Sequence, residues 1–408
     1  MTQSDPAPST GPLAGLRILD FTRVLSGPYC TALLADLGAE VVKVEAPQGD
    51  DYRHVGPFRE GQSALFQLVN RNKRGIAIDL KQPAGQALAR DLAARADVVV
   101  ENFRPGVAAR LGLDAERLMA ADPRLVYASI SGFGQSGPNA ALPAFDLVAQ
   151  ALSGFMALTG EAAGSPMKTG ESIGDLAAGL FASWSILAAL LERERTGRGR
   201  RLDIAMVDSL VALLPTAVAQ WMFGAGAPTR VGNRHPLSTP FGAYRARDGH
   251  LVICVLNQTQ FRHLAETLDQ PDLADDPRFA SDARRTEHEA ILRARIEAGL
   301  ARWTVAEAVA ALSAAGVPAA AIAEAAAVFE GEHVRARGLI GETGHPRLGP
   351  IPAMEQPVHF AGLPRGGQRP APALGADNAD VLSRWLSLDD TGIATLAADG
   401  TITREDRS

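Results

Sequence analysis

The chain has 408 residues, of which 46% are hydrophobic and 21% are charged, and its formal net charge is −6 at pH 7. This length allows two or more domains with a sizeable core, and the composition is ordinary for a soluble globular enzyme. The negative charge, without a dense Lys/Arg cluster, argues against nucleic-acid binding. Cys30 and Cys254 cannot form a disulfide framework and have no metal-ligand spacing, so no metal site is expected.

The N-terminal segment 1–12 is polar and has no apolar core of the kind found in signal peptides. The longest apolar stretch, 176–191, is short for a membrane span, is interrupted by Gly179 and ends in the charged run 192–195. It predicts a buried core helix rather than a membrane span. We therefore expect a soluble, cytoplasmic protein without membrane contact.

Alternating strand and helix patterns predict a parallel sheet in the first half of the chain. In chain order these are strand 16–21, helix 29–37, strand 40–44, strand 75–79, helix 85–96, strand 97–101, strand 125–130, helix 175–195, strand 202–205 and helix 207–222. Pro215 is expected to kink the last helix.

A connection rich in Gly, Ala and Pro, 224–234, predicts a domain boundary. Beyond it the patterns predict strands 242–245 and 251–255, then helices 258–268, 287–302 and 305–315. Repeated prolines from Pro350 to Pro372 suggest an extended segment that crosses a surface.

Asp175 stands where a glycine-rich loop runs into the long apolar helix. No histidine occurs between His54 and His235, which favours a carboxylate nucleophile over a general-base pair. The simpler alternative is an N-cap that accepts from free helix amides. In either role these amides should hold its pKa no higher than the usual value of about 4. Gly174 and Gly179 would leave room for a thioester, but position alone does not decide between cap and nucleophile.

Two further patterns in the sequence bear on ligand binding. The turn 22–28 lacks the G-x-G-x-x-G spacing of a dinucleotide site, so nicotinamide binding is not favoured. Basic residues near the predicted strand ends would together suit a phosphate-bearing ligand, although each alone is explained as a solvated surface charge. They are Lys43, Arg71, Lys73, Arg74, Lys81, Arg104 and Arg110.

Seven short motifs occur in a fixed order along most of the chain. They are LDFTRVLSGP at 19–28, NRNKR at 70–74, VENFRPG at 100–106, SGFGQSGP at 131–138, SIGD at 172–175, TGRG at 196–199 and GNRHP at 232–236. Each motif is weak alone, but their joint occurrence is specific. Together they resemble the family III CoA-transferases, a group that includes formyl-CoA transferase and α-methylacyl-CoA racemase.

The resemblance implies an α/β fold with a large Rossmann-like parallel-sheet domain, formed by both chain ends, and a smaller middle domain. Segment 1–223 would begin the large domain, 224–328 would form the small one, and 329–408 would return to the large one. It also implies an interlocked homodimer. No cofactor would be bound permanently, because coenzyme A enters as the acyl-CoA substrate and a carboxylic acid is the second partner.

The resemblance further implies a mechanism. The aspartate that matches Asp175 attacks the acyl-CoA carbonyl to form a mixed anhydride, and the CoA thiolate returns to form an aspartyl-CoA thioester. An acceptor carboxylate then takes over the CoA. Residues at the matching positions would contact CoA: Val24, Leu25, Lys81, Asn102, Phe103 and Arg110.

Two departures from the family pattern narrow the function. Racemases of the family carry Gly-His-Asp after the Ser-Gly-Pro loop, whereas this chain has Ala144-Phe145-Asp146. An apolar ring cannot shuttle a proton, which argues for transfer over racemisation. Formyl/oxalate members have a glutamine at the position of Leu25 and a run of glycines over the site. Both are absent here, which argues against formyl/oxalate specificity.

Three alternatives stay open at this point. The chain could be a 2-methylacyl-CoA racemase or epimerase, or a non-catalytic acyl-CoA-binding protein in which Asp175 is only a cap. Within the transferases, Arg234 and His235 could face the second carboxylate of a dicarboxylate acceptor, or could be exposed polar residues of a linker.

Overall fold

The computed structural model describes residues 11–224, 226–363 and 368–403. Most of the segment 1–12, and Pro364 of the proline-rich segment, lie outside the described residues. The described residues form two compact units, one from 11–155, 169–219 and 334–403, the other from 156–168 and 220–333.

Segment 156–168 lies in the second unit, outside the range 224–328 that is expected for the small domain. Hydrogen bonds from one side chain of the second unit hold this segment. The Arg230 guanidinium donates to the carbonyl oxygens of Ala157, Glu161 and Gly164 at 2.8, 3.2 and 2.7 Å. Such long-range contacts leave no signal in the local sequence pattern.

The strands of the described residues follow in chain order. They are β1 (Arg17–Asp20), β2 (Glu40–Glu45), β3 (Phe58–Arg59), β4 (Gln62–Ser63), β5 (Arg74–Ala77), β6 (Val98–Glu101), β7 (Val126–Ser131), β8 (Arg201–Ala205), β9 (Phe241–Arg245), β10 (His250–Cys254), β11 (Ala319–Ala321), β12 (Ile340–His345) and β13 (Gly349–Met354).

The helices follow in the same way, with short 3-10 helices at Asp51–His54 and Pro277–Phe279. They are α1 (Ser26–Asp36), α2 (Ala64–Val69), α3 (Pro83–Ala93), α4 (Val107–Leu111), α5 (Ala115–Ala121), α6 (Asp146–Leu152), α7 (Phe155–Leu158), α8 (Ile173–Thr196), α9 (Met206–Ala212), α10 (Pro215–Met222), α11 (Gln258–Thr267), α12 (Asp272–Asp275), α13 (Asp282–Glu287), α14 (Glu289–Leu300), α15 (Val305–Ala314), α16 (Ala325–Phe329), α17 (Glu332–Ala336), α18 (Asn378–Leu386) and α19 (Asp390–Ala398).

A parallel sheet of six strands organises the first unit, in the order β5-β2-β1-β6-β7-β8. The predicted α/β class with a parallel sheet is confirmed. From β1 the chain first moves outward to β2 and β5, and then returns to β6 on the other side of β1. The direction of the strand order therefore reverses between β1 and β6, which is where ligands bind in open parallel sheets. The segments that follow these two strands meet there.

Helix α8 lies on an unexpected face of this sheet. One face carries α3, α5 and α18, and the other carries α1 and α8. Across the sheet, the connection from β1 to β2 and the connection from β7 to β8 run in opposite directions. If both connections were right-handed, α1 and α8 would lie on opposite faces of the sheet. They instead share a face and pack directly against each other. This arrangement brings the start of α8 to the start of α1.

Helix α8 is also the one helix within the described residues that is long and apolar enough to cross a membrane by length and composition. Its Ala178, Ala182 and Ile186 are fully buried in the core beneath the sheet. The helix thus has the packing of a core helix.

The second unit has its own core around the antiparallel sheet β11-β10-β9. Helices α11, α14 and α15 cover this sheet with buried apolar side chains such as Phe261, Ile296 and Leu312. The C-terminal segment belongs to the first unit, since Asp377 and Asn378 accept the backbone N–H groups of Gly75 and Ala77 in β5 at 2.7 and 3.0 Å.

Candidate active site

A cleft opens in the first unit at the carboxyl ends of β1, β6 and β7. Its lining combines apolar side chains with two arginines, two serines, one asparagine and one carboxylate. It is lined by Arg23, Val24, Ser26, Asn102, Phe103, Arg104, Pro105, Ile130, Ser131, Gly132, Ala140, Leu142, Ala144, Phe145, Asp175 and Met206.

Asp175 reaches this cleft from the first turn of α8. Its carboxylate accepts hydrogen bonds from the hydroxyl and the backbone N–H of Ser26. Ser26 is the first residue of α1, and Leu25 before it provides no side-chain cap. The N-terminus of an uncapped helix offers free N–H groups and a partial positive charge. The carboxylate of α8 therefore takes the place of a cap on α1.

The close approach of the two helices depends on Gly179, one turn after Asp175. A Cβ atom added to Gly179 would lie 2.7 Å from the carbonyl oxygen of Ser26, which no folded structure tolerates without a shift. The expectation that Gly174 and Gly179 leave room for a thioester is therefore wrong for Gly179. Its missing side chain is needed for packing against α1.

The pKa of Asp175 is raised to about 6, first by burial and then by the negative charge of Asp146, while the two bonds from Ser26 act in the opposite direction. The expectation that helix amides hold this pKa at or below the usual value is wrong, because burial and a second carboxylate outweigh them. A carboxylate with this pKa is ionised above neutrality and is more basic than a free aspartate. Both properties suit a nucleophile.

Asp146, not Asp175, satisfies the first turn of α8. Its Oδ1 accepts the backbone N–H of Gly174 at 2.7 Å, and its Oδ2 accepts from Nε2 of Gln150 at 2.7 Å. Ser172 occupies the N-cap position of α8 and makes no capping bond with its side chain. The N-cap interpretation of Asp175 is therefore wrong. A Cβ on Gly174 would lie 3.0 Å from Oδ1 of Asp146, so this glycine also serves packing.

The turn that carries Val24 and Ser26 rests on buried charges. Asp50 accepts the N–H of Val24 at 3.0 Å and the ammonium of Lys43 at 2.7 Å, and both charged side chains are almost fully buried. Lys43 also donates to the carbonyl oxygen of Thr22 at 2.8 Å. Val24 itself has φ 67, a strained conformation for a β-branched residue. These contacts hold it there.

The segment after β6 is fixed to the same turn. Asn102 accepts the N–H of Arg23 at 2.9 Å and donates to the Arg23 carbonyl at 2.8 Å. Glu101 accepts the N–H of Phe103 at 2.8 Å. Burial raises the pKa of Glu101 to about 7, while hydrogen bonds from Ser129 and from the Phe103 N–H act against it.

The structure brings together four of the seven predicted site residues in one cleft, namely Val24, Asn102, Phe103 and Asp175. The other three lie outside its lining. Leu25 is half-buried just before α1, and Arg110 is exposed on α4. Lys81 is exposed, and its backbone N–H donates to the Asp79 carboxylate. Contact between CoA and any of the six predicted positions stays a prediction.

Several residues of the site were not singled out from the sequence. Ser26 and Ser131 lie within motifs and Asp146 stands beside Phe145, but no local pattern marks these three, Tyr52 or Met206 as residues in or beside the site. Tyr52 shows why. Burial, and then the charges of Asp175, Asp50, Asp146 and Glu171, raise the pKa of its phenol to about 12. Only the folded chain brings these groups close to one another.

Phe145 lines the cleft with 69% of its surface exposed. No histidine is among the described residues that line the cleft, and none of the described residues forms a cluster of three or more His, Cys, Asp or Glu side chains able to hold a metal. Acid–base chemistry by imidazole has no group to carry it in this lining.

Arg234 and His235 lie in the second unit. Arg234 forms an isolated antiparallel bridge with Gly242, and Nδ1 of His235 lies 3.2 Å from the N–H of Leu237, from which it accepts. The His235 ring also packs on Phe241. Their proposed role toward a dicarboxylate stays a prediction.

Comparison with known proteins gives a consistent family. The family model described as CoA-transferase family III matches residues 13–378. The chain is 40% identical over 390 residues to the acetyl-CoA:oxalate CoA-transferase of Acetobacter aceti, covering 95% of this chain and 99% of that one. It is 38% identical over 402 residues to the succinyl-CoA:glutarate CoA-transferase of Mus musculus, covering 98% and 92%.

A solved structure agrees with these relatives. The crystal structure of a CaiB/BaiF family protein from Brucella suis matches with a TM-score of 0.80 and 36% identity, covering 92% of this chain and 99% of that one. The parallel-sheet fold and the family match over most of the chain accord with the resemblance seen in the sequence. The chain belongs to the family III CoA-transferases and is an enzyme of that family.

Proposed function

We propose that this enzyme transfers CoA from an acyl-CoA donor to a free carboxylic acid through Asp175. The observation that carries the proposal is the Asp175 carboxylate, which lines the cleft, is bonded by Ser26 at the N-terminus of α1 and has a pKa raised to about 6. Phe145 in place of a histidine supports transfer rather than racemisation, since transfer needs no α-proton base.

In the proposed reaction, a carboxylate oxygen of Asp175 attacks the thioester carbonyl, and the C–S bond breaks to release CoA thiolate and leave a mixed anhydride. The thiolate attacks the Asp175 carbonyl and releases the donor acid as its carboxylate. The acceptor carboxylate then attacks the aspartyl-CoA thioester and displaces the thiolate. Finally, the thiolate attacks the acyl carbonyl of the new anhydride, which forms the product acyl-CoA and regenerates Asp175. No net proton is gained or lost.

The Ser26 N–H and hydroxyl have a second use in this scheme. They bond the carboxylate in the resting enzyme, and donors beside a reacting carboxylate also stabilise oxyanions that form on its carbon. The Asp175 carbonyl becomes such a centre each time the thiolate or the acceptor attacks it. Coenzyme A is thus a substrate, and the proposal requires no permanently bound cofactor.

The decisive experiment compares Asp175→Ala and Asp175→Asn with Asp208→Asn, which removes an aspartate from the exposed face of α9. We expect both Asp175 variants to lose at least about 10⁴-fold in transfer rate, and the control to stay active. Hydroxylamine added with acyl-CoA should convert Asp175 to a hydroxamate, detected by peptide mass spectrometry.

Three outcomes would contradict the proposal. Transfer by Asp175→Ala near the wild-type rate would remove Asp175 from the mechanism. Deuterium exchange at the α-carbon without any acceptor acid would favour a 2-methylacyl-CoA racemase or epimerase. Tight CoA binding with no exchange across a broad panel of acids would favour a non-catalytic acyl-CoA-binding protein.

We further propose that the acceptor acids include dicarboxylates. Arg23 and Arg104 place two cations in the cleft lining, and the relatives described above are named for oxalate and glutarate. Arg104→Gln should raise the KM of glutarate more than that of a monocarboxylate of equal length. Arg234→Ala tests the separate prediction for the second unit, and unchanged kinetics with dicarboxylates would end it.

We also propose a cytoplasmic, interlocked homodimer whose protomers have a large domain formed by both chain ends and a smaller middle domain. Apolar side chains on α8 support the dimer, since Leu180, Trp184 and Leu191 are 49%, 57% and 67% exposed. Exposed apolar surface of this kind marks interaction sites. Light scattering of the wild type and of Trp184→Glu tests it, and a monomeric wild type would contradict it.

A further inference from the structure

One hydroxyl of the cleft wall has no partner. The Oγ atom of Ser131 is buried and makes no hydrogen bond to any residue that the structure describes. Ser131 is the last residue of β7, pairs in register with Ala205 of β8 and lines the same cleft as Asp175. Buried polar atoms are nearly always hydrogen-bonded, so an exception within a functional cleft calls for a physical reason.

The surroundings of Ser131 offer no internal partner. The next residue, Gly132, packs so tightly that an added Cβ would lie 2.3 Å from Cβ of Ala144 and 3.8 Å from Cε of Met206. Ile130 before it completes an apolar wall. Ser131 itself is only half-buried, and rotation about its Cα–Cβ bond moves the hydroxyl between staggered positions. Because Ser131 lines the cleft, a ligand bound there is the partner that the protein itself does not supply.

Other serines nearby are satisfied within the protein. Two residues earlier on the same strand, the hydroxyl of Ser129 bonds Glu101. The Ser26 hydroxyl, also in the lining, bonds Asp175. On α9, Ser209 donates to the carbonyl oxygen of Ala205 at 2.7 Å. Ser131 differs from these in one respect: its hydroxyl has been left without a partner.

We propose that Ser131 is a substrate-contacting residue, whose hydroxyl donates a hydrogen bond to an oxygen of the acyl or carboxylate group that reacts at Asp175. The inference rests on the proposed function. The ligand class follows from the proposed function, because the groups that react at Asp175 carry a carbonyl or carboxylate oxygen that accepts from a hydroxyl. Acyl groups and carboxylic acids have such an oxygen.

The inference predicts opposite effects on stability and on binding. Removing a hydroxyl that has no internal partner leaves folding unchanged or favours it, whereas removing one that is bonded internally weakens folding. Ser131→Ala should therefore keep or raise the unfolding free energy while transfer falls about tenfold in kcat/KM. Ser209→Ala is the matched control, and should be less stable without loss of specific activity.

Binding to an inactive background separates this inference from the proposed function. In Asp175→Asn no transfer occurs, so dissociation constants of succinyl-CoA and of free CoA can be measured by calorimetry. Adding Ser131→Ala should weaken succinyl-CoA several-fold and leave free CoA unchanged.

Equal weakening of both ligands would place the hydroxyl on the CoA arm and overturn the inference. So would unchanged binding of succinyl-CoA, or a loss of stability in Ser131→Ala equal to that in Ser209→Ala. If the wild type transfers CoA and Ser131→Ala does so with the same kcat/KM, only this inference is refuted. A fully active Asp175→Ala variant would instead refute the proposed function.

Discussion

Asp146 bonds the backbone N–H of Gly174, the residue before Asp175, and its negative charge helps to raise the pKa of the Asp175 carboxyl. One side chain thus both closes the first turn of α8 and makes the neighbouring carboxylate more basic. The arrangement costs stability, because two like charges lie close together in a partly buried place. Such perturbed pairs are characteristic of functional sites.

Asp146→Asn should shift the pH profile of transfer. The amide keeps an oxygen to accept the Gly174 N–H but removes the charge, so the pKa of Asp175 should fall from about 6 toward its usual value. The acid limb of kcat/KM would then move to lower pH, because Asp175 would stay ionised in more acidic solution. The measurement is a pH–rate profile between pH 4.5 and 8 at saturating acceptor acid.

Asp208→Asn on α9 is the control for this profile, since it removes one exposed carboxylate that makes no contact with Asp175 in the described hydrogen bonds. A profile of Asp146→Asn that keeps its midpoint while the rate drops at all pH values would make Asp146 a purely structural cap. An upward shift of the acid limb would contradict the electrostatic argument directly.

Glu101→Gln should reveal the energetic cost of a buried carboxylate. The pKa of Glu101 is raised from 4.5 to about 7, chiefly by burial, so its contribution to stability is full below pH 4.5 and is lost as the pH rises toward 7. A shift of this size corresponds to about 3 kcal/mol. The glutamine is neutral throughout. The unfolding free energy of Glu101→Gln minus that of the wild type should therefore be larger at pH 8 than at pH 5, by about 2 kcal/mol.

Urea denaturation at both pH values measures this difference, with Glu116→Gln on the exposed face of α5 as the control. If the difference in unfolding free energy between Glu101→Gln and the wild type is the same at pH 5 and pH 8, Glu101 titrates as an ordinary carboxyl group. Because glutamine keeps an oxygen to accept the N–H of Phe103 at the cleft, the KM for acyl-CoA should stay near its wild-type value.

Local patterns in the sequence were sufficient for the sheet and for α8, since buried strands and a long apolar helix leave clear periodicity. They failed where partners are distant. Asp146 lies 28 positions from Gly174, and the rule that helix amides lower a pKa was overridden by burial and by Asp146. The hairpin of β12 and β13 was missed because Pro350 and Pro352 interrupt the strand pattern. A two-stranded sheet tolerates them because both strands are edges.

Val24→Gly should relieve backbone strain at the cleft. Valine at φ 67 costs on the order of 1–3 kcal/mol, whereas glycine adopts this conformation freely. Glycine also gains entropy in the unfolded chain, so we expect the unfolding free energy to change by less than about 1 kcal/mol. Activity should still fall, because the isopropyl group is part of the cleft wall.

Thermal denaturation and steady-state kinetics check this result against Val207→Gly on α9, where the backbone is helical and glycine should cost about 1 kcal/mol or more. If Val24→Gly destabilises the enzyme more than Val207→Gly does, Val24 is not strained. Unchanged kcat/KM for acyl-CoA would mean that its side chain does not contact the substrate.

The buried pair of Lys43 and Asp50 predicts the sign of the interaction energy in a double-mutant cycle of stability. Asp50→Asn keeps an oxygen for the Val24 N–H but leaves the buried Lys43 ammonium without its nearest counter-charge, which typically costs about 3–5 kcal/mol. Adding Lys43→Met removes the stranded charge. The double variant should therefore be more stable than Asp50→Asn alone, by at least about 1 kcal/mol.

Because the double variant still holds Val24 in place, it should also regain CoA transfer that the single variant loses. Additive losses of stability in the cycle would show that the two side chains do not interact. Recovery of stability without recovery of activity would mean that the charge of Lys43, and not only the position of the turn, is needed at the cleft. The position of Lys43 argues against that outcome. Its side chain is fully buried and its ammonium is bonded to Asp50 and to the carbonyl oxygen of Thr22, so it has no direct route to a ligand.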